Sequence, residues 1–242
     1  GLFLDMGLGK SVITLTAINE LKFYRFQVSK VLVIAPKKVA EGTWQKECQK
    51  WDHLQHLRVS TVLGSEKQRM AALNATADIY IINRENVTWL VDLYRDQWPF
   101  DMVVVDEFSS FKSHSAKRFK SLAAVRPHIN RFVGLTGTPS PNSLMDLWSQ
   151  VYLLDGYVVY EYKLRDGAEQ AILSKISDIC ISMKSDDYLT LPDCIDDEVP
   201  VVLDNQARKA YNTLERQMVL ELEDDDLTVT SAAALSNKLL QL

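Results

Sequence analysis

The sequence is poor in the residues that build secreted, membrane-spanning or metal-clustered proteins. Cysteine occurs three times, at Cys48, Cys180 and Cys194. An odd and scattered set argues against a disulfide framework and for a reducing compartment. No apolar run approaches the roughly 20 residues that a membrane span requires. The opening "GLFL" is too short for a secretory signal and lacks its basic flank. The cytoplasm is therefore the expected location, with no membrane partner. Cys48, His53 and His56 have a loosely metal-like spacing, but a single cysteine and a His-x-x-His without a fourth ligand make a poor zinc site.

What is present is ordinary for a folded chain. The 242 residues are 47% apolar and 24% charged, enough for one α/β domain and part of another. The formal net charge of −5 hides an asymmetry. Residues 1–60 hold nine Lys/Arg against five Asp/Glu, whereas residues 191–242 hold four against eleven, many of them in "ELEDDDL". A contact with a phosphate backbone, if the chain makes one, belongs to the first half; the alternative is a basic solvated face.

Short apolar or β-branched runs recur along the chain: Leu2–Leu4, Val31–Ala35, Arg58–Leu63, Asp78–Ile82, Met102–Val105 and Arg131–Leu135. Near-continuous runs such as "MVVV" suit a parallel sheet covered on both faces. Between them lie helix-length stretches, including Ser11–Leu21, Thr43–Trp51 and Glu66–Leu73. This alternation predicts an α/β domain with a mostly parallel sheet flanked by helices. From Asn142 the pattern turns helical, then gives a strand-like "DEVPVVL", a long helix over about 205–223 and a last one from about Thr230. The tryptophans Trp44, Trp51 and Trp148 fall at apolar positions and are expected in the core.

Three segments carry chemistry. Gly7-Leu8-Gly9-Lys10-Ser11 follows an apolar strand and opens a helix, the context of a phosphate loop. Glycines let backbone N–H groups approach phosphate, and the helix N-terminus adds its positive end. Lys10 would meet the β- and γ-phosphates of ATP, and Ser11 would ligate Mg²⁺. The strict pattern wants glycine where this chain has Leu4, so a glycine-rich turn with a surface lysine is the alternative. Second, "FDMVVVDEFSSF" is a buried strand ending in Asp106 and Glu107. Carboxylates at such a strand tip face the ligand crevice of a parallel sheet. Asp106 can hold Mg²⁺, and Glu107 can orient the attacking water. Third, "VGLTGTPSPN" sets Thr136, Gly137 and Thr138 at another strand end, where they can sense the γ-phosphate or simply form a turn that caps the next helix. Ser110 and His114 can share a helix face, but no orienting acid or oxyanion hole accompanies them.

"LFLDMGLGKS", "IAPKKVAEGTWQKECQKW", "VVVDEFSSFK" and "LTGTPSPN" resemble motifs I, Ia, II and III of the Swi/Snf-type ATPases of helicase superfamily two, in particular their phage and prophage members. The likeness continues through "LPDCIDDEVPVVLDNQARKAY", similar to the crossing between the two RecA-like lobes of that family. It implies a RecA-like P-loop NTPase lobe over 1–190, lacking its N-terminal segment, and over 191–242 the inter-lobe crossing with the helical start of a second lobe. It implies ATP-driven translocation along duplex DNA and remodelling of bound proteins, in a bacterial or phage-infected cell. By this likeness Asp5, Met6, Gly7, Leu8, Gly9, Lys10 and Ser11 form the phosphate loop, and Asp106 and Glu107 are the acidic pair. Thr136, Gly137 and Thr138 couple the nucleotide to DNA. A second RecA-like lobe of the parent chain would supply the arginines that stabilise the transferring phosphate, so the isolated chain is expected to bind Mg·ATP weakly and hydrolyse it poorly. Motif II reads Asp-Glu-Phe-Ser, a phage-like departure.

DNA contacts are expected from Lys37 and Lys38 at a strand end, from Arg84 and Asn86 in "NRENVTWL", and from Lys112 with Lys117, Arg118 and Lys120 past the acidic pair. Plain solvated surface is the alternative for each. No base-reading pattern is visible, which suits a motor indifferent to sequence. A strand-separating helicase of the same superfamily and a non-enzymatic scaffold are the competing readings; intact Lys10, Asp106 and Glu107 count against the scaffold.

Overall fold

The computed structural model describes residues 1–137, 147–155, 174, 176–188, 208–209, 211–212, 219–221 and 226–228. The chain divides into two units, Gly1–Leu191 and Pro192–Leu242.

The first unit is built on seven strands: Leu2–Leu4 (β1), Val31–Ala35 (β2), Val59–Val62 (β3), Ile79–Asn83 (β4), Met102–Asp106 (β5), Arg131–Thr136 (β6) and Ile181–Met183 (β7). They form one sheet in the order β3-β4-β2-β5-β6-β1-β7 with every pairing parallel. The predicted α/β lobe with a mostly parallel sheet is thus the one observed. Central strands β2 and β4 are buried along their whole length, because helices cover both faces.

Alternation of side chains along the strands divides the core in two. Leu32, Ile34, Val103 and Val105 face one layer, where they pack with Leu90, Phe119 and Leu122. The last three come from helices Val87–Tyr94 and Lys117–Val125. Val31, Val33, Val104 and Ile81 face the other layer, against Leu15, Ile18, Trp44 and Leu54. Leu15 and Ile18 belong to helix α1, Lys10–Asn19, and Trp44 to helix α3, Thr43–Lys50; the single turn Lys37–Ala40 between them is α2. Helix Glu66–Asn74 begins with a capping box in which Ser65 and Gln68 satisfy each other's backbone N–H groups.

Two expectations are corrected. Trp51 is not in the core: it is exposed, its indole N–H donating to Glu47 while Lys50 lies over the ring. In the second unit the helix expected over about 205–223 does not reach its end, since Val219–Glu221 (β8) pairs antiparallel with Asp226–Thr228 (β9). Carboxylates concentrated at 221–226 would stand at the negative end of such a helix and repel one another. Residues 208–209 and 211–212 are helical. "DEVPVVL", the segment from Thr230 and the side chain of Trp148 lie outside the described residues.

Candidate active site

Parallel strands put all their C-terminal ends on one edge, which is where ligands of such sheets bind. The phosphate-loop candidate follows β1, the acidic pair ends β5, Thr136 and Gly137 end β6, and Pro36-Lys37-Lys38 follows β2. Register places Phe3 beside Thr136 and Asp106 beside Leu135. The site is therefore assembled by strand order, from residues more than a hundred positions apart.

The loop between β1 and α1 turns through two glycines with left-handed backbones, Gly7 at φ 84° and Gly9 at φ 74°. Gly9 caps α1, and Ile13 N–H donates to its carbonyl at 3.0 Å. A Cβ on Gly7 would meet nothing within 4 Å, so the glycine is required by its conformation rather than by crowding. Lys10, the first helical residue, turns its ammonium back over the loop and donates to the carbonyls of Leu4 at 2.7 Å and Asp5 at 3.1 Å. Gly137 packs beside it: a Cβ there would lie 3.5 Å from the Leu4 carbonyl and 4.0 Å from Lys10 Nζ. Ser11 follows as the second residue of α1, and Met6 and Gly7 are exposed. The Asp5 carboxylate points away from this centre and accepts from the N–H and hydroxyl of Ser185. Asp5 thus anchors the loop from behind.

Asp106 is held on both oxygens. Its Oδ2 accepts from the indole Nε1 of Trp44 at 3.2 Å and its Oδ1 from the N–H of Glu107 at 3.0 Å. Burial pushes the carboxyl above its ordinary range, as does nearby Glu107, while those two hydrogen bonds and Lys10 pull it down. Glu107 itself is exposed and sits in the left-handed region at φ 52°, a strained conformation of the kind that collects at functional sites.

Hard oxygen donors on Asp106 and Ser11 suit Mg²⁺, which is commonly held by one or two protein oxygens with phosphate and water completing its shell. Among the described residues no group of three or more His, Cys, Asp or Glu could hold a metal by itself. The loosely metal-like trio, a poor zinc site by its sequence, is otherwise engaged: His53 bonds Thr16 at 2.9 Å, His56 bonds Asn19 at 2.8 Å, and burial pushes the Cys48 thiol up to about 11. The hydroxyl of Ser110 is buried and has no hydrogen-bond partner, so it makes no pair with His114.

Of the expected DNA contacts, Lys37 and Lys38 are exposed on α2 at the same edge. Asn86 is turned inward instead, accepting from Arg69 at 2.7 Å and donating to Asn83 at 2.5 Å. Arg84 pairs with Glu85 at 3.1 Å. Lys112 is half-buried, and its carbonyl accepts from the hydroxyl of Ser149 in the helix Leu147–Asp155. Thr138 lies outside the described residues.

The parallel sheet, the glycine loop with its lysine and the acidic strand end together define a RecA-like P-loop lobe. The chain belongs to the SNF2-related domain family, whose model matches residues 2–242. It is 34% identical to protein p41 of Acyrthosiphon pisum secondary endosymbiont phage 1, over 98% of this chain and 58% of that protein. It is 24% identical to an uncharacterized ATP-dependent helicase of Mycoplasma genitalium over 92% of this chain and 22% of the relative, and 33% identical to the bovine DNA excision repair protein ERCC-6-like over 60% and 12%. The chain therefore spans little more than half the length of the phage relative. Among solved structures, the Sulfolobus solfataricus SWI2/SNF2 ATPase core in complex with dsDNA superposes with a TM-score of 0.62 at 22% identity, over all of this chain and 52% of that one. At that identity the likeness concerns the fold.

Proposed function

We propose that this chain is the first ATP-binding lobe of a DNA-dependent ATPase that translocates on duplex DNA and remodels protein–DNA complexes. The observation that carries the reading is the convergence of Lys10, Asp106, Glu107 and Gly137 on one sheet edge, with Gly137 packed against the lysine. In this reading Gly7 and Gly9 let the loop wrap the phosphates, and Lys10 exchanges the Leu4 and Asp5 carbonyls for phosphate oxygens. Asp106 and Ser11 would hold Mg²⁺, which neutralises charge on the phosphates. Exposed Glu107 orients the attacking water and takes its proton. Thr136 and Gly137 bridge the loop and the acidic pair, and so report the nucleotide's state to the rest of the lobe. Lys37 and Lys38 lie on the same edge and take phosphates of the duplex, a contact blind to sequence. Arginines of a second RecA-like lobe in the parent protein complete the charge stabilisation, so the chain alone turns over slowly.

The test is steady-state ATP hydrolysis by the full-length protein with no nucleic acid, duplex DNA, single-stranded DNA and RNA in turn. Stimulation chiefly by duplex DNA is expected, with Lys10→Ala lowering turnover on the order of 10²-fold or more. Stimulation chiefly by single strands or RNA would replace this reading with a strand-separating helicase. Absence of turnover under every condition would replace it with a scaffold.

A further inference from the structure

Trp44 stands in the second position of α3, on the face packed against the sheet, and is 1% exposed. Its neighbours in the core include Ala35, Ala40 and Cys48, an apolar setting that explains the ring. The same setting leaves the indole N–H, a group that can only donate, in need of an acceptor. The acceptor is the Asp106 carboxylate, 62 residues away at the tip of the neighbouring strand. Such an N–H would be satisfied by any backbone carbonyl, yet here it reaches across from the segment after β2 to the carboxylate at the end of β5. With Glu107 N–H on the other oxygen, the two donors leave Asp106 little freedom to rotate, while each carboxylate oxygen keeps lone pairs for a further partner. The donor is itself fixed. Ala40 N–H bonds the Pro36 carbonyl at 2.8 Å and Lys46 N–H bonds the Gly42 carbonyl at 3.0 Å, so the backbone leading into α3 and its first turn are tied down on both sides of Trp44.

We propose that Trp44 is a positioning residue of the nucleotide site: its indole N–H sets the orientation in which Asp106 meets Mg²⁺. The inference deepens the ATPase reading and rests on it. Trp44 acts through the carboxylate it donates to. Phenylalanine would keep most of the packing and remove the donor.

The experiment uses the full-length protein and fluorescent mant-ATP, whose binding is measured in Mg²⁺ and in EDTA. Trp44→Phe should lower the Mg²⁺-dependent gain in affinity about three- to ten-fold, less than a full hydrogen bond to a charged group contributes because the indole acts on the metal only through the carboxylate, and leave affinity in EDTA at the wild-type value. In an Asp106→Asn background the same change should add nothing. Equal losses in Mg²⁺ and EDTA, or an undiminished effect beside Asp106→Asn, would overturn the proposal. A second measurement needs no variant in its sample: the ¹⁵N-labelled indole resonance of Trp44 should move on adding Mg·ATP and stay in place on adding ATP with EDTA. A resonance indifferent to Mg²⁺ would overturn it too. Failure of the wild-type protein to bind nucleotide more tightly in Mg²⁺ would instead sink the ATPase reading beneath it.

Discussion

The carboxylate of Asp5 accepts from Ser185 twice, from the N–H at 2.9 Å and from the hydroxyl at 3.3 Å, across 180 residues of sequence. The Asp5 N–H in turn donates to the Met183 carbonyl at 3.1 Å. The root of the phosphate loop is thereby clasped to edge strand β7, beyond the three register pairs that β7 makes with β1. Asp5→Ala should cost about 1.5–3 kcal/mol, because a charged acceptor leaves two donors behind. Of the two bonds to Asp5, Ser185→Ala removes the longer and should cost about 0.5–1.5 kcal/mol. Urea unfolding of both variants checks this; an Asp5→Ala protein as stable as wild type would show the clasp to be idle.

Among the expected DNA contacts, Lys37 and Lys38 stand exposed on the turn that follows β2, as do Lys117 and Lys120 on the helix past the acidic pair, whereas Asn86 is spent inside a network with Arg69 and Asn83. Replacing both lysines by alanine should weaken duplex binding equally for unrelated sequences. The slope of log affinity against log salt should flatten by about two, one for each phosphate no longer neutralised. Asn86→Ala should leave that slope unchanged. Titrations of labelled duplexes between low and moderate salt read both values, and an unaltered slope for the lysine pair would move the DNA path elsewhere on the lobe.

Gly134 lies in β6 beneath the turn that carries the acidic pair. A Cβ at this position would come within 2.2 Å of the ring of Phe108, a residue buried completely. Neither the strand nor the aromatic can yield freely, so Gly134→Ala should destabilise the lobe by about 1–3 kcal/mol through overpacking. Phe108→Leu, which shortens the obstructing side chain, should recover part of that loss in the double variant. A double-mutant cycle in urea measures the coupling. Strictly additive effects would mean that the clash is relieved elsewhere.

These cases show what the sequence could and could not declare. Strands β2 and β5 were legible because burial on both faces demands unbroken apolar runs, and the loop from Asp5 to Ser11 because its chemistry is contiguous. Strand β7 was missed: it is a three-residue edge with Ile181 exposed, fixed by pairing with β1 rather than by its own pattern. The helix Lys117–Val125 hid behind Lys117, Arg118 and Lys120, which suggest nucleic acid before they suggest an amphipathic face, and Val87–Tyr94 stood behind Arg84 and Asn86 in a segment read for DNA contact. The Trp44–Asp106 bond could not be read at all, since it depends on β2 and β5 being neighbours. An apolar position was visible at Trp44 and an acceptor at Asp106, but nothing local joins them.

Asp78 gives the lobe a defined acid sensitivity. Its side chain is 1% exposed at the entry to β4 and meets Arg58 through Nη2 at 2.9 Å and Nε at 3.0 Å, the backbone N–H of Arg58 at 3.0 Å, and Lys22 at 3.3 Å. Burial pushes the carboxyl upward, but these donors and charges outweigh it and hold the group at about 2, against an ordinary value of 3.8. A carboxyl depressed in the folded state stabilises the fold fully above its unfolded value, and that contribution disappears as pH falls from about 4 towards 2. Arg58 is more than half exposed, so solvent screens part of the attraction and the contribution comes to about 1–2 kcal/mol. Asp78→Asn should therefore be less stable than wild type at pH 7, with a gap that narrows as the pH approaches 2. Urea unfolding at pH 7, 5, 3.5 and 2.5 follows the gap directly. A difference that stays constant across that range would show that the cost of the substitution lies in packing and leftover donors rather than in the charge.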